Sequence, residues 1–233
     1  MAKPDNTAIA DCEAQDASRV AETLRITEIF HSLQGETSRS GLPTVFIRLT
    51  GCPLRCGYCD TAYAFHGGES RRISDILAAV APFGTRYVTV TGGEPLAQKA
   101  CLALLNELCE RGYSVSLETS GALDVSAVDQ RVSKILDLKT PGSGEMAKNL
   151  WGNLAHLTPH DEIKFVLCDE ADYLWAKSRL AEHALAARCP VLFSPVWGTL
   201  PPAQLGAWIL RDRLPVRMQL QLHKQLWGEK PGV

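Results

Sequence analysis

The stretch that decides the fold is GCPLRCGYCDT, residues 51–61, which places Cys52, Cys56 and Cys59 in one short loop. A proline and a glycine separate the cysteines, and both residue types favour sharp turns that can wrap a compact inorganic centre. Structural zinc takes four ligands, commonly as two separated C-x2-C pairs, and this sequence has no second pair. A four-iron, four-sulfur cluster held by three thiolates leaves one iron open to an exogenous ligand. The loop therefore favours such a cluster, and the alternatives are three unliganded cysteines or a zinc site completed from elsewhere.

The bulk composition restricts the partners that the chain can have. Its 233 residues are 45% hydrophobic, which is enough to bury a substantial core. Lys plus Arg (24) nearly balance Asp plus Glu (26), so the net charge of −2 provides no basic field for nucleic acid or acidic membranes. There is no apolar run of membrane-spanning length and no signal sequence, and the other cysteines are scattered, unlike a secreted disulfide framework. We expect a cytoplasmic protein with reduced thiols and a small-molecule partner, without nucleic acid or membrane as partners.

Apolar segments of strand length alternate with amphipathic segments after a polar, acidic N-terminus. Residues 1–22 are predicted to form a flexible tail, and residues 23–233 a single domain. The predicted strands are 24–30, 44–50, 86–91, 113–119, 134–139, 162–168, 191–196 and 215–222. The predicted helices are 74–81, 96–112, 145–157, 171–187 and 202–214. The alternation predicts an α/β fold with a mainly parallel sheet of about six βα units. Because no G-x-G-x-x-G follows the first strand, a partial (β/α) barrel is favoured over a dinucleotide-binding sheet.

Glycines and polar residues stand where the predicted strands end. In a βα barrel the functional site lies at the carboxyl ends of the strands. The segments concerned are 34–36 after the first strand, 52–61 after the second, 92–95 after the third, 119–121 after the fourth, Lys139 after the fifth and His223 after the last. We therefore expect these segments to form one site.

Two of these segments resemble the radical S-adenosylmethionine superfamily. The cysteine loop has its C-x3-C-x-aromatic-C pattern, with Tyr58 as the aromatic residue, and VTVTGGEP (88–95) resembles its GGEP motif. The resemblance implies that the three cysteines hold a catalytic 4Fe-4S cluster and that S-adenosylmethionine chelates the open iron through its amino and carboxylate groups. An electron from the cluster would then cleave the sulfonium to methionine and a 5′-deoxyadenosyl radical.

Within this superfamily the chain looks most like the 7-carboxy-7-deazaguanine synthases, from about residue 24 to 224. The matching segments are EIFHSLQGE (28–36), FIRLTGCPLRCGYCDT (46–61), VTGGEP (90–95), LETSG (117–121), DLK (137–139) and QLHK (221–224). The resemblance implies a lyase of queuosine biosynthesis that converts 6-carboxy-5,6,7,8-tetrahydropterin to 7-carboxy-7-deazaguanine and ammonia. Its implied course is hydrogen abstraction from C6, ring contraction, return of hydrogen and loss of ammonia. The implied partners are a flavodoxin or ferredoxin-type electron donor and a second copy in a homodimer.

The same resemblance implies roles for individual residues. The implied cofactor-binding residues are Tyr58, Cys59, Asp60, Gly93, Glu94, Glu118, Ser120, Asp137, Leu138 and Lys139. The implied substrate-binding residues are Leu33, Gln34, Gly35, Glu36, Arg48, Thr91 and His223. Thr61 is implied to bind magnesium, a hard ion that prefers oxygen ligands and keeps several waters. Asp137 and Leu138 depart from the Ser-Pro that some members have at this place.

The chemistry of Arg48 alone suggests two possible roles for its side chain. A guanidinium at the end of a strand can bind the carboxylate of a pterin with a bidentate fork, or it can form an ordinary surface ion pair.

For the whole chain, two further functions stay open. A glycyl-radical activase shares the cysteine loop but requires a protein substrate, and the LQGE, CDT and terminal His-Lys segments disfavour it. A zinc-stabilised binding module would hold zinc and no iron.

Overall fold

Nine strands form one sheet in the computed structural model, which describes residues 22–228, 230 and 232. The strands are β1 (Thr23–Leu33), β2 (Pro43–Leu49), β3 (Glu69–Arg72), β4 (Tyr87–Gly92), β5 (Ser114–Thr119), β6 (Ser133–Asp137), β7 (Glu162–Leu167), β8 (Val191–Pro195) and β9 (Arg217–Met218). Their spatial order is β3-β1-β2-β4-β5-β6-β7-β8-β9, with β3 and β9 as the open edges. Strands β2 and β4 to β9 run parallel, whereas β1 and β3 are antiparallel to their neighbours. The predicted α/β partial barrel is confirmed.

Four of the five helices cover one face of the sheet, and alternation along the strands places polar residues on the other. The helices are α1 (Ile73–Val80), α2 (Cys101–Glu110), α3 (Glu170–Glu182), α4 (Pro202–Asp212) and α5 (Leu222–Trp227). In β4, Val88 and Val90 belong to the apolar core, while Thr89 and Thr91 alternate with them and point to the opposite, concave face. In α2 the face that includes Cys101 and Leu104 is fully buried.

The first strand brings its following loop to an unexpected end of the sheet. Because β1 is antiparallel to β2, residues 34–42 lie at the amino ends of the parallel strands. Ser38 donates its N–H to Glu162 at the start of β7 (3.1 Å), and the Arg39 guanidinium donates to the carbonyl of Ser114 at the start of β5 (3.0 Å). The prediction that residues 34–36 lie at the carboxyl ends is therefore wrong. They reach the concave face from the opposite end.

The predicted last strand, 215–222, is much shorter than expected. Only Arg217–Met218 pairs with β8, and the chain then enters α5, so His223 lies in a helix and does not end a strand. The backbone N–H of Leu222 and the side chain of Gln219 both donate to the carbonyl of Gly35. The contact with the 34–42 loop thus uses the backbone donor of Leu222, which a longer sheet ladder would need.

The predicted helix 145–157 is also wrong, since Met146–Lys148 and Trp151–His156 form separate 3-10 turns. Asn149 exchanges two hydrogen bonds with the backbone of Lys139, and Asn153 bonds to Gly121, Leu123 and Val125. Asparagine side chains that bond to distant backbone groups compete with helix formation. The periodic apolar pattern of this segment is outweighed by these tertiary contacts.

One strand was not predicted. All four residues of β3 are exposed and three are charged, which is the composition of a protected sheet edge.

Over the described part of the chain, no helix is long and apolar enough to cross a membrane.

We expect Lys134→Met to lower the free energy of unfolding by about 3–5 kcal/mol, because it leaves a buried carboxylate without its cation. The Lys134 ammonium lies 3.1 Å from Asp161, and these side chains are 2% and 0% exposed. Urea denaturation of the metal-free protein measures the effect. Lys99→Met is the matched control at an exposed lysine and should change stability by less than about 0.5 kcal/mol. Equal effects of the two substitutions would contradict this role of the ion pair.

Candidate active site

A cavity of about 710 Å³ occupies the concave face of the sheet. It collects residues from the ends of β1, β2, β4, β5 and β6 and from the N-terminal half of α5. All the predicted site residues line it except Glu94 and Leu138. Leu138 is fully buried in the apolar core, and its backbone N–H donates to the carbonyl of Lys164. The cavity is large enough for a nucleoside-sized ligand and a small substrate together.

The cysteine loop forms one wall of the cavity and is held by backbone contacts. Gly57 donates its N–H to the carbonyl of Ser143 (3.0 Å), and the N–H of Arg55 donates to Glu145 (2.6 Å). Cys52, Cys56 and Cys59 are partly buried free thiols. Burial raises the pKa of Cys52 and of Cys56, so binding of a metal centre must displace protons from these thiols.

The ligand set does not fit a structural zinc ion. Among residues 22–228, 230 and 232, no group of three His, Cys, Asp or Glu side chains is arranged to hold one metal ion. A four-iron cluster does not require its ligands to converge on one metal ion, because each thiolate binds a different iron atom. Three thiols around one end of a cavity therefore fit a cluster better than they fit zinc.

Gly93 is required by packing between the two loops that follow β2 and β4. A Cβ atom at residue 93 would lie 2.0 Å from the carbonyl oxygen of Gly51 and 3.0 Å from Cβ of Cys52. The neighbouring N–H of Glu94 donates to that same carbonyl oxygen (2.7 Å). The glycine turn thus fixes the position at which the cysteine loop begins, and it also lines the cavity.

Glu94 has a different environment from the one that its predicted cofactor role suggests. Its side chain is fully buried and accepts hydrogen bonds from the backbone N–H groups of Leu96 and Ser120 and from the hydroxyls of Thr119 and Ser120. These donors occupy both carboxylate oxygens. Glu94 therefore ties the loop after β4 to the loop after β5, while Ser120 itself lines the cavity.

Two buried polar atoms beside the cysteine loop have no hydrogen-bond partner within the described part of the chain. They are the hydroxyl of Tyr58 and Oδ1 of Asp137. The other oxygen of Asp137 accepts a hydrogen bond from the Lys139 ammonium (2.9 Å). Burial disfavours the charge of Lys139, but Asp137 and Cys56 outweigh it and raise the pKa of this lysine. The Lys139 ammonium is thus a fixed cation near the cysteines, beside two buried polar atoms that the protein leaves unpaired.

A second polar cluster lies deeper on the concave face. The Gln34 amide donates to Glu118 (3.1 Å) and to Thr89 (3.3 Å), and the Thr91 hydroxyl donates to the other oxygen of Glu118 (3.0 Å). Burial raises the pKa of Glu118, and the nearby charge of Glu36 raises it further. The structure thus places Glu118 beside Gln34 and Thr91, which carry predicted substrate roles, although Glu118 itself is predicted to bind the cofactor.

Lys164 is a cavity residue that the sequence analysis missed. Its ammonium forms a hydrogen-bonded ion pair with Glu36, and its side chain is 8% exposed. Burial opposes the charge of Lys164, yet Glu36, Asp137 and Glu118 together raise its pKa, so it remains a cation. The signal was present in the sequence, because Lys164 stands between the core residues Ile163 and Phe165 and must face the opposite side of β7.

The C-terminal helix α5 connects the two loops that line the cavity. Asp60 accepts hydrogen bonds from Lys224 (2.7 Å) and Gln221 (3.1 Å), and Gln221 also donates to Glu36 (2.9 Å). Burial works against ionisation of Asp60, but Lys224 outweighs it and holds the pKa of this carboxyl below its usual range. Thr61 donates its hydroxyl to the second oxygen of Asp60 (2.9 Å). The predicted magnesium residue and the end of the cysteine loop are thus fixed by α5.

Comparisons with known proteins agree on one family. The radical SAM superfamily matches residues 46–141. A 7-carboxy-7-deazaguanine synthase of Chlorobaculum tepidum is 51% identical over 208 residues, which cover 88% of this chain and 94% of that relative. A protein of the same name from Koribacter versatilis is 44% identical over 228 residues, which cover 90% of this chain and 100% of the relative.

Solved structures share the fold. QueE from Escherichia coli has a TM-score of 0.71 and 24% identity and covers 89% of this chain and 98% of that chain. Streptococcus suis SuiB bound to S-adenosylmethionine has a TM-score of 0.52 and 14% identity and covers 73% of this chain and 44% of that chain. At these identities the likeness concerns the fold alone.

We expect Gly35→Ala to destabilise the protein by about 1–3 kcal/mol, the usual cost of overpacking, because the new Cβ would lie 2.7 Å from Nδ1 of His223. In a His223→Ala background the cost should be smaller, which a double-mutant cycle by urea denaturation measures. Gly152→Ala, where an added Cβ meets nothing within 4 Å, is the matched control. An identical cost in both backgrounds would show that Gly35 does not provide the space for His223.

Proposed function

This chain belongs to the 7-carboxy-7-deazaguanine synthase family of radical S-adenosylmethionine enzymes, and on this premise we propose that it converts 6-carboxy-5,6,7,8-tetrahydropterin to 7-carboxy-7-deazaguanine and ammonia. The reaction is that of a carbon-nitrogen lyase in queuosine biosynthesis. The observation that carries the proposal is the placement of three free thiols at one end of a cavity whose other end holds groups suited to a pterin.

The residues near the cysteine loop fit the two cofactors. Cys52, Cys56 and Cys59 would hold the cluster and leave one iron open. Lys139, which lines the cavity and is held by Asp137, would pair with the carboxylate of S-adenosylmethionine. When bound, the cluster and S-adenosylmethionine supply the radical chemistry that removes a hydrogen atom from C6 of the pterin.

The deeper polar cluster suits the pyrimidine edge of the pterin. Glu118 would accept hydrogen bonds from the ring N–H and the amino group, and Gln34 and Thr91 hold this carboxylate in place. Lys164 keeps Glu36 ionised, so that Glu36 is a second acceptor on the same wall. Arg48, at the end of β2, would bind the substrate carboxylate.

His223 would contact the substrate as a neutral imidazole. Burial lowers the pKa of its side chain, although the neighbouring Glu36 and Asp60 act in the opposite direction. A neutral ring offers one donor nitrogen and one acceptor nitrogen at neutral pH. The imidazole, which packs closely against Gly35, can therefore pass a proton to or from the amine that leaves the pterin ring.

We also place magnesium at Thr61. The hydroxyl donates its hydrogen to Asp60, so its lone pairs stay available to a hard cation. The remaining ligands would be substrate oxygens and water, and the ion would orient the substrate and neutralise oxygen charge.

A flavodoxin or ferredoxin-type electron donor, a homodimer and a cytoplasmic location complete the proposal. The family resemblance supports the first two, and the need to keep the thiols reduced supports the third.

The other candidate functions have less support. The curated relatives described above carry the synthase name, which favours this activity over that of a glycyl-radical activase. A zinc-stabilised binding module would need a ligand set that the described residues do not form.

We expect the anaerobically reconstituted protein to hold one 4Fe-4S cluster and to turn the pterin over with S-adenosylmethionine. Cys56→Ala should lose both the cluster and all detectable turnover, because one iron ligand is removed. Cys168→Ala is the matched control, because this thiol does not line the cavity, and it should keep both. Iron analysis and product chromatography measure the result. Cleavage of S-adenosylmethionine without any deazaguanine product would reject the proposed substrate.

A second experiment tests the magnesium site. Thr61→Val replaces the hydroxyl with a methyl group of similar size, so the magnesium concentration needed for half-maximal turnover should rise about tenfold, as expected for a loss of about 1.4 kcal/mol. Thr61→Ser keeps the hydroxyl and should behave as the parent enzyme. An equal magnesium requirement in all three proteins would show that Thr61 is not a ligand.

A further inference from the structure

We propose that Glu28 and Tyr63 are positioning residues that aim Arg48 at the substrate carboxylate and so make the enzyme selective for a carboxylated pterin. This inference rests on the proposed function and extends it to two residues to which the sequence analysis gave no role. The three side chains form a small cluster at the edge of the cavity, and each contributes a separate constraint.

The first constraint is the way in which Glu28 binds Arg48. The two residues are register partners on the antiparallel strands β1 and β2, and Oε1 of Glu28 lies 2.7 Å from Nε of Arg48. The side chains are 22% and 16% exposed, respectively. Arginine offers five N–H donors, and within the described part of the chain neither terminal nitrogen of Arg48 donates to an acceptor. The ion pair therefore holds the inner nitrogen and leaves the terminal fork for another carboxylate.

The second constraint is the hydrogen bond from Tyr63 to Glu28. The Tyr63 hydroxyl donates to the same oxygen, Oε1, at 2.7 Å. Tyr63 lies on the 3-10 turn Ala62–Phe65, immediately after Thr61 and the cysteine loop. The orientation of Glu28 is thus tied to the segment that carries the cluster ligands.

The third constraint comes from aromatic rings around the guanidinium. The Arg48 guanidinium carbon lies 5.7 Å from the ring centre of Phe30 and 5.9 Å from that of Tyr63. Phe30 is in turn stacked on Phe46 at 5.0 Å. Contacts of this kind restrict the rotamers of a long side chain before a ligand arrives, which lowers the entropic cost of binding.

These three constraints distinguish between two possible roles of the Glu28–Arg48 ion pair. A surface ion pair would contribute little and would have no connection with a ligand. Here Arg48 and Tyr63 line the cavity, Glu28 holds only the inner nitrogen of Arg48, and the guanidinium is fixed from three sides. The loss of Tyr63 or Glu28 should therefore act on the recognition of the ligand carboxylate, and it should leave recognition of the pterin ring unchanged.

The test compares two fluorescent oxidised pterins that differ only in one group, 6-carboxypterin and pterin. Their affinities are measured for the reconstituted enzyme in the presence of S-adenosylmethionine. The parent enzyme should bind 6-carboxypterin at least about tenfold more tightly. Tyr63→Phe, which removes one hydroxyl, should reduce this preference by about 3- to 10-fold, and Glu28→Gln should reduce it at least as much. In both variants the affinity for pterin should stay unchanged.

The matched control is Tyr113→Phe, since Tyr113 does not line the cavity, and this variant should keep the full preference. An equal loss of affinity for 6-carboxypterin and for pterin in Tyr63→Phe and Glu28→Gln would overturn the inference, because a general structural role predicts that result. An unchanged preference in both variants would also overturn it. If the parent enzyme turns over the carboxylated pterin in either case, the proposed function stands and the positioning role alone is lost.

Discussion

The contact between Gly93 and Gly51 is the constraint on which the site depends. The loops after β2 and β4 approach so closely that an added Cβ at residue 93 would lie 2.0 Å from the Gly51 carbonyl oxygen. Glu94 then extends this junction to the loop after β5 through its buried carboxylate. Three neighbouring loops are therefore fixed relative to one another, and the cysteines begin at a defined place above the parallel strands.

The cavity separates two kinds of chemistry along its length. The end near the cysteines carries Lys139 and the unpaired atoms of Tyr58 and Asp137, which suits a charged nucleoside cofactor. The other end carries Glu118 and Lys164, which suits a polar bicyclic substrate. Helix α5 and the 34–42 loop close the space between these ends, because their side chains bond to each other and to the cysteine loop. A reacting carbon atom would thus lie between the cofactors and a rigid polar wall.

The sequence predicted the parallel sheet, and nearly all the site residues that it indicated line the cavity, because short motifs and strand alternation are local properties. It placed the 34–36 segment at the wrong end, since the direction of β1 is set by its pairing with β2 and not by its own residues. It missed Tyr63 and Lys164, whose roles depend on Glu28 and Glu36, partners that lie 35 and 128 positions away in the chain. It gave Glu94 a ligand role, although neighbouring loops use all its acceptor positions.

The central claim is that the protein supplies three ligands to a cluster and leaves its fourth iron to S-adenosylmethionine. Electron paramagnetic resonance of the dithionite-reduced cluster, recorded with and without S-adenosylmethionine, tests this claim most directly. The account predicts that the cofactor changes the g values and that 17O in its carboxylate broadens or couples to the signal. A spectrum that the cofactor leaves unchanged, in a protein that contains the full cluster, would contradict it.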